Sequence, residues 1–167
     1  MMPVTRRDCL FAVLTLWSLG RPGNAHAFAP GPDRVGEIEW HIAFLTNQRR
    51  MWQKLALLAP SESLAGIARG HSQDMLTRGF FDHRTPEGTR SADRIARQGL
   101  RFTVSSENIY LMRNGTTDAA ELASIMVGGW MKTKAHRRNM LDPAFLYLGV
   151  GVASSARLVI ATQLFGG

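Results

Sequence analysis

Apolar and polar residues alternate along the chain in two rhythms, one helical and one extended. Val35, Ile38, Ile42 and Leu45 fall at helical spacing, which predicts a helix from about Arg34 to Arg50. Trp52 to Leu58 is a short apolar connection ended by Pro60. Ser61 or Ser63 can cap a second helix. Its face is Leu64, Ile67, Ala68, His71 and Met75, and Gly79 stops it. Pro86-Glu87-Gly88 reads as a turn. Ser91 to Gln98 predicts a short helix with Ile95 and Ala96 inward and Gly99 as its stop.

The rhythm then changes. Phe102 to Met112 is rich in strand formers, interrupted by Ser105-Ser106, and predicts an extended segment. Asn114-Gly115 is a turn. Asp118, with Glu121 three residues on, resembles a capping box. It opens a helix carrying Leu122, Ile125, Met126 and Trp130, weakened at its end by Gly128-Gly129. Leu148, Val150 and Val152 alternate with Gly149, Gly151 and Ala153. Leu158 to Phe165 is a second extended run, and Ser154-Ser155 lies between the two, as in an antiparallel hairpin. Helices first and strands late predict an α+β fold, a small sheet covered by helices. No repeat or linker divides the chain.

Residues 1–27 follow another logic. Arg6-Arg7 precede an apolar run from Cys9 to Leu19, then come Gly20, Pro22 and Gly23, then Ala25-His26-Ala27. That is the order of a signal peptide with a small-residue cleavage site. The paired arginines resemble a twin-arginine export signal, with an ordinary secretory signal as the alternative. The run is too short to span a bilayer as a helix. Residues 28–34 read as a leader and 35–167 as the folded domain. Export, to the periplasm or out of the cell, is the localisation this implies.

The 167 residues are 45% apolar and 20% charged, enough for a packed core. One cysteine forbids an intramolecular disulfide and any cysteine-based zinc cluster. Cleavage after Ala27 would remove Cys9 and lower the formal charge from +7 to +5. No aromatic-interleaved basic stripe or nucleic-acid motif accompanies that charge, so no nucleic-acid partner is expected. Arg49-Arg50 and Arg137-Arg138 read as solvated faces. A monomer without a transmembrane span is expected after cleavage.

No H-E-x-x-H, G-x-S-x-G, phosphate-binding or dinucleotide-binding motif is present. Four histidines remain beyond residue 27. His41 is mid-helix beside Trp40 and reads as a packed or solvated side chain. His71 sits on an apolar helix face with Asp74 at i+3, a carboxylate able to fix an imidazole tautomer; it also reads as a satisfied, half-buried histidine. His83 follows a helix stop, where a side chain is pinned yet open. His136 stands in a polar turn, 134–141. Glu107 is a lone acid where the chain becomes apolar, and such a carboxylate needs a partner. Spacing alone does not bring these residues together.

Ordered blocks of residues add a resemblance. Ala68-Arg69-Gly70-His71-Ser72-Gln73-Asp74-Met75, Gly79-Phe80-Phe81-Asp82-His83 and Ala92-Asp93-Arg94-Ile95 come first. Ser106-Glu107-Asn108-Ile109 follows. Then come Gly129-Trp130-Met131, Ala135-His136-Arg137-Arg138-Asn139-Met140-Leu141 and Gly149-Val150-Gly151. The sequence is similar over about Val35 to Phe165 to the CAP superfamily, also called the SCP domain, which includes cysteine-rich secretory proteins, antigen 5 and plant pathogenesis-related group 1 proteins. Its bacterial secreted branch is the nearer pattern. The resemblance implies an α-β-α sandwich and a cleft with two histidines and two acids. The histidines fall on His83 and His136 and the first acid on Glu107. The second acid's position is Thr133, three residues after Trp130; Ser106 and Ala135 stand where glycine is usual.

The resemblance also implies a divalent cation, Zn²⁺ above all, on His83, Glu107 and His136. Thr133 and His71 are cleft candidates around them. Three functions stay open: a module binding a cation and an envelope or extracellular ligand; a secreted metal-assisted hydrolase or peptidase using Glu107, His83 and His136; and a lipid-binding module.

Overall fold

The computed structural model describes residues 33–113 and 118–167. The expected signal peptide, most of the expected leader and the expected Asn114-Gly115 turn lie outside the described residues. Helix α1 spans Arg34–Trp52, and the Asp33 side chain caps it by accepting from the Gly36 N–H. Strand β1 is Ala59–Pro60. Helix α2 spans Glu62–Arg78, capped by Ser61 and ended by Gly79 at φ +71°. Only glycine takes that left-handed conformation at no steric cost. Helix α3 is Ser91–Arg97 and strand β2 Ser105–Arg113. Helix α4 is Ala119–Lys132, capped by Asp118, and helix α5 is Lys134–Leu141. Strands β3, Tyr147–Ser154, and β4, Leu158–Gly166, form the expected hairpin.

The sheet order is β1-β3-β4-β2. The three long strands are antiparallel. The short β1 adds parallel to β3, through Ala59 and Ser61 N–H bonds to the Leu146 and Leu148 carbonyls. Both faces of the sheet are covered, which makes an α-β-α sandwich. Val159, Ala161 and Phe165 of β4 and Val150 and Val152 of β3 join Ile38 and Ile42 of α1 and Met126 and Trp130 of α4 in one core. The alternate β4 residues Ile160 and Leu164 pack toward α2 and α3, with Met75, Ala68 and Ile95. The period-2 alternation of a strand thus feeds two separate cores.

Four sequence readings need correction. Residues 134–141 form a helix, not a polar turn. Ala96 is exposed and only Ile95 of α3 is buried. Ile125 is exposed; Ala123 and Val127 complete the inner face of α4 instead. Arg50, read as a solvated base, is fully buried. Its guanidinium donates to the carbonyls of Ala56, Met140, Asp142 and Phe145. Burial pushes this group below its usual pKa, and Asp142 opposes that. Among the described residues, no helix is long and apolar enough to cross a membrane.

Candidate functional site

Two adjacent residues of β2 organise the surroundings of the candidate residues. Side chains alternate across a strand, so Glu107 and Asn108 face opposite ways. Glu107 turns toward α2 and α3, and its side chain is 2% exposed. A carboxylate so buried needs partners. His83 Nδ1 lies 2.9 Å from Oε1, and Arg94 of α3 donates to Oε2 at 2.5 Å. Arg94 also donates to the carbonyls of His83 and Thr89, so it fastens the 83–89 loop to the strand.

The loop reaches that position because α2 stops at Gly79. The Arg84 N–H then donates to Asp82 Oδ1 at 2.7 Å, and the Gly88 N–H to the Thr85 carbonyl at 2.7 Å. His71, midway along α2, is fully buried, and its Nε2 donates to the Asp82 carbonyl oxygen at 3.0 Å. The same nitrogen is 4.0 Å from Glu107 Oε1. The tautomer of His71 is therefore set by a backbone carbonyl and not by Asp74, which is bound by Arg78. Burial pushes the His71 imidazole below its usual pKa, which keeps it neutral at pH 7.

Asn108 serves the other side. Its Nδ2 donates to the His136 carbonyl at 3.1 Å and to Gln163 Oε1 at 3.1 Å. Asn139 of α5 donates to Asn108 Oδ1 at 2.8 Å and to the Glu107 carbonyl at 3.3 Å. Gln163 passes the chain on to Thr46 of α1 at 2.8 Å. A buried amide network thus holds α5, and with it His136, against the strand that carries Glu107. Such networks hold a geometry firmly when every member is satisfied.

His83 and His136 differ in charge preference. The hydrogen bond to Glu107 raises the pKa of His83, against opposition from burial. Burial lowers that of His136, and the charge of His83 lowers it further, so the two imidazoles are near enough to sense each other. The structure therefore brings His71, His83 and Glu107 into one cluster and places His136 beside it. Thr133 sits at the exposed junction of α4 and α5, its carbonyl accepting from the Arg137 N–H. His41 feels Asp118 and Glu37, neither a cleft residue. Among the described residues, no three His, Cys, Asp or Glu side chains are arranged to hold a metal ion together. Arg94 is the cleft residue that sequence reading missed; the signal available was the need of a buried Glu107 for a cation.

The comparisons with known proteins agree with this architecture. The model of the cysteine-rich secretory protein family, CAP, matches residues 44–165. YkwD of Bacillus subtilis (strain 168), itself uncharacterised, is 35% identical over 136 residues, covering 81% of this chain and 49% of its own length. The chain thus spans about half of that relative. An extracellular protein with an SCP domain from Bacillus anthracis (strain Ames) superposes at TM-score 0.67 with 32% identity, over 81% of this chain and 43% of that one. NaASP2, solved with Zn²⁺, shares the fold alone, at TM-score 0.55 and 14% identity over 88% of this chain and 84% of its own. Fold, motif blocks and relatives converge, and the chain belongs to the cysteine-rich secretory protein (CAP) family.

Proposed function

We propose that this is an exported CAP-domain protein whose cleft binds a divalent cation through His83 and His136 and, at the same cleft, an envelope or extracellular ligand. The observation that carries this reading is the contact between Glu107 Oε1 and His83 Nδ1. A carboxylate there holds the proton on Nδ1 and turns Nε2 outward as an unprotonated donor, the usual support behind a metal-bound imidazole. The lowered pKa of His136 keeps a second imidazole neutral and able to ligate. Glu107 is then an orienting group and not a ligand, since both its oxygens are engaged. Two nitrogen donors suit Zn²⁺, with water or ligand atoms completing the shell. A bound Zn²⁺ would act there as a Lewis acid toward ligand oxygens. The zinc in NaASP2 and the extracellular setting of the Bacillus anthracis relative support the reading.

Calorimetric titration of Zn²⁺ into the metal-stripped protein tests it. One-to-one binding is expected, with at least a hundredfold loss in His83→Ala/His136→Ala. Unchanged affinity in that variant would remove the cleft assignment.

The reading carries a pH dependence. Zn²⁺ must displace the proton from His83, whose pKa is raised. Affinity is therefore expected to fall as pH drops, beginning above the ordinary histidine value of about 6.5. Glu107→Gln removes the bond that raises this pKa and is expected to move the midpoint down. A midpoint that moves up, or not at all, would show that Glu107 does not govern His83. The same shift is linked to folding. The His83–Glu107 contact contributes stability that is full below the unfolded histidine pKa and is lost as pH rises through the folded one.

A further inference from the structure

Positive charge gathers where α4 meets α5. Residues 122–141 hold Lys132, Lys134, Arg137 and Arg138 and no aspartate or glutamate, so this stretch carries +4 where the whole of 28–167 carries +5. All four side chains are exposed, and none joins an ion pair among the described residues. The acids at hand are engaged elsewhere. Asp142, which follows α5, accepts the Ala144 N–H and acts on Arg50, and the buried Glu107 is held by Arg94 and His83.

The helix itself turns this charge outward. One extended residue, Thr133, ends α4 and begins α5. Asn139 and the buried Met140 hold α5 to the body of the domain. Lys134, Arg137 and Arg138, at i, i+3 and i+4, share the opposite face, and Lys132 stands just before it. Like charges at that spacing destabilise a helix. Lys134 also lies in the first turn, where a cation opposes the helix dipole. That turn holds no acidic residue, and Thr133 makes no side-chain cap bond. Helix α5 is thus opposed by its own charges, which an external polyanion would relieve. Real proteins break such local rules chiefly at functional or strained sites.

We infer that the outer face of α5, with the end of α4, docks a linear acidic polysaccharide. Neighbours at i and i+4 stand about 5–6 Å apart, so the four cations form a short ladder of charge. A polymer with one carboxylate per sugar presents anions at a similar step. Number decides the class of partner. A single exposed ion pair is weak, so a lone carboxylate or phosphate is held poorly. A chain that engages several cations at once gains avidity. A bilayer is the poorer fit, because α5 shows no exposed large apolar side chain to enter it. A nucleic acid is also the poorer fit, since neither α4 nor α5 exposes an aromatic ring on which bases could stack. The inference rests on the export proposed above and not on a cation in the histidine cleft.

The test is a calorimetric titration of hexagalacturonate into the purified protein in EDTA, which leaves no divalent cation to bridge the two. Saturable binding is expected, weakening as salt rises. At about twofold per exposed pair, Lys132→Gln/Lys134→Gln/Arg137→Gln/Arg138→Gln is expected to lose at least tenfold in affinity and most of the salt dependence. Arg97→Gln/Arg101→Gln/Arg113→Gln/Arg157→Gln removes the same charge from other exposed positions and is expected to bind nearly as the parent does. His83→Ala/His136→Ala, expected to lose Zn²⁺, is expected to keep the hexamer, which separates this result from that of the cleft. Absence of saturable binding, equal losses in the two four-site variants, or monogalacturonate bound as tightly as the hexamer would overturn the inference. So would binding to phosphatidylglycerol vesicles that needs the four cations while the hexamer is ignored, which would assign the face to a membrane.

Discussion

Replacing Arg50 with methionine is expected to lower the unfolding free energy by about 3–5 kcal/mol, because several buried carbonyls lose their donor at once. Arg50 is fully buried, and none of the ion pairs among the described residues involves it. Its partners are four backbone carbonyls, from the 53–58 connection, from the last turn of α5 and its cap, and from the segment leading into β3. Methionine keeps the apolar stem but leaves those carbonyls without a donor, each at about 1–3 kcal/mol unless water replaces the guanidinium. Lysine is expected to recover only a minor part, because one ammonium cannot span a planar fork of donors. Urea unfolding of the three proteins checks this. A loss below about 1 kcal/mol would mean that water already serves these carbonyls. Since a domain of this size has about 5–15 kcal/mol in total, the methionine variant is expected to lie near its folding limit. The effect should reach the cleft as well, because α5 carries His136.

Gly151→Ala is the second large effect, at about 3 kcal/mol or more, the upper end for overpacking. A methyl group at Gly151 would fall inside the backbone of Ala68 and Arg69, and one at Gly149 inside that of Leu64 and Ala65. Backbone cannot step aside as a flexible side chain can. Helix α2 is also pinned here: Ser72 Oγ donates to the Gly151 carbonyl at 2.9 Å. Glu39 of α1 takes Arg69 through charged hydrogen bonds while accepting the Val152 N–H at 3.0 Å. Any rise of α2 off the sheet moves His71 and the loop that carries His83. Thermal unfolding together with Zn²⁺ affinity is therefore expected to report loss in both. Gly70→Ala is the control. It sits on the open side of the same helix and is expected to gain about 0.5–1 kcal/mol from helix propensity. Equal stability of Gly151→Ala and the parent protein would show that α2 does not lie against β3 as described.

These two residues mark where the sequence was readable and where it was not. The helical spacing of Val35, Ile38, Ile42 and Leu45 led directly to α1, and Ser61, Gly79 and Asp118 are the caps their residue types suggested. The glycine alternation in β3 was visible, but its reason was not: a helix backbone lies on that face. Arg50 read as surface because a charge usually is, and carbonyl partners leave no side-chain pattern to find. Helix α5 was missed because only Met140 of its eight residues is buried, so it has no apolar rhythm. Strand β1 is held by backbone bonds to Leu146 and Leu148, which no two-residue pattern can announce.

The candidate site shows the same division. His83, Glu107 and His136 emerged from motif blocks, not from spacing. The geometry adds their contacts, on which the proposed roles rest. The lone acid needed a partner, and the structure supplies two, Arg94 and His83, from separate elements. That changes Glu107 from an expected ligand into the group proposed to orient one. Thr133, at the second-acid position, lies at an exposed helix junction.

The most direct measurement is a long-range ¹H–¹⁵N spectrum of the histidine side chains, recorded with and without Zn²⁺ at pH 8. Without metal, His83 is expected to carry its proton on Nδ1, facing Glu107. On adding one equivalent of Zn²⁺, the His83 Nε2 and one nitrogen of His136 are expected to shift together, while His71 keeps its proton on Nε2. A His83 protonated on Nε2, or histidine nitrogens that ignore saturating Zn²⁺, would contradict the account of a carboxylate-oriented two-histidine cation site.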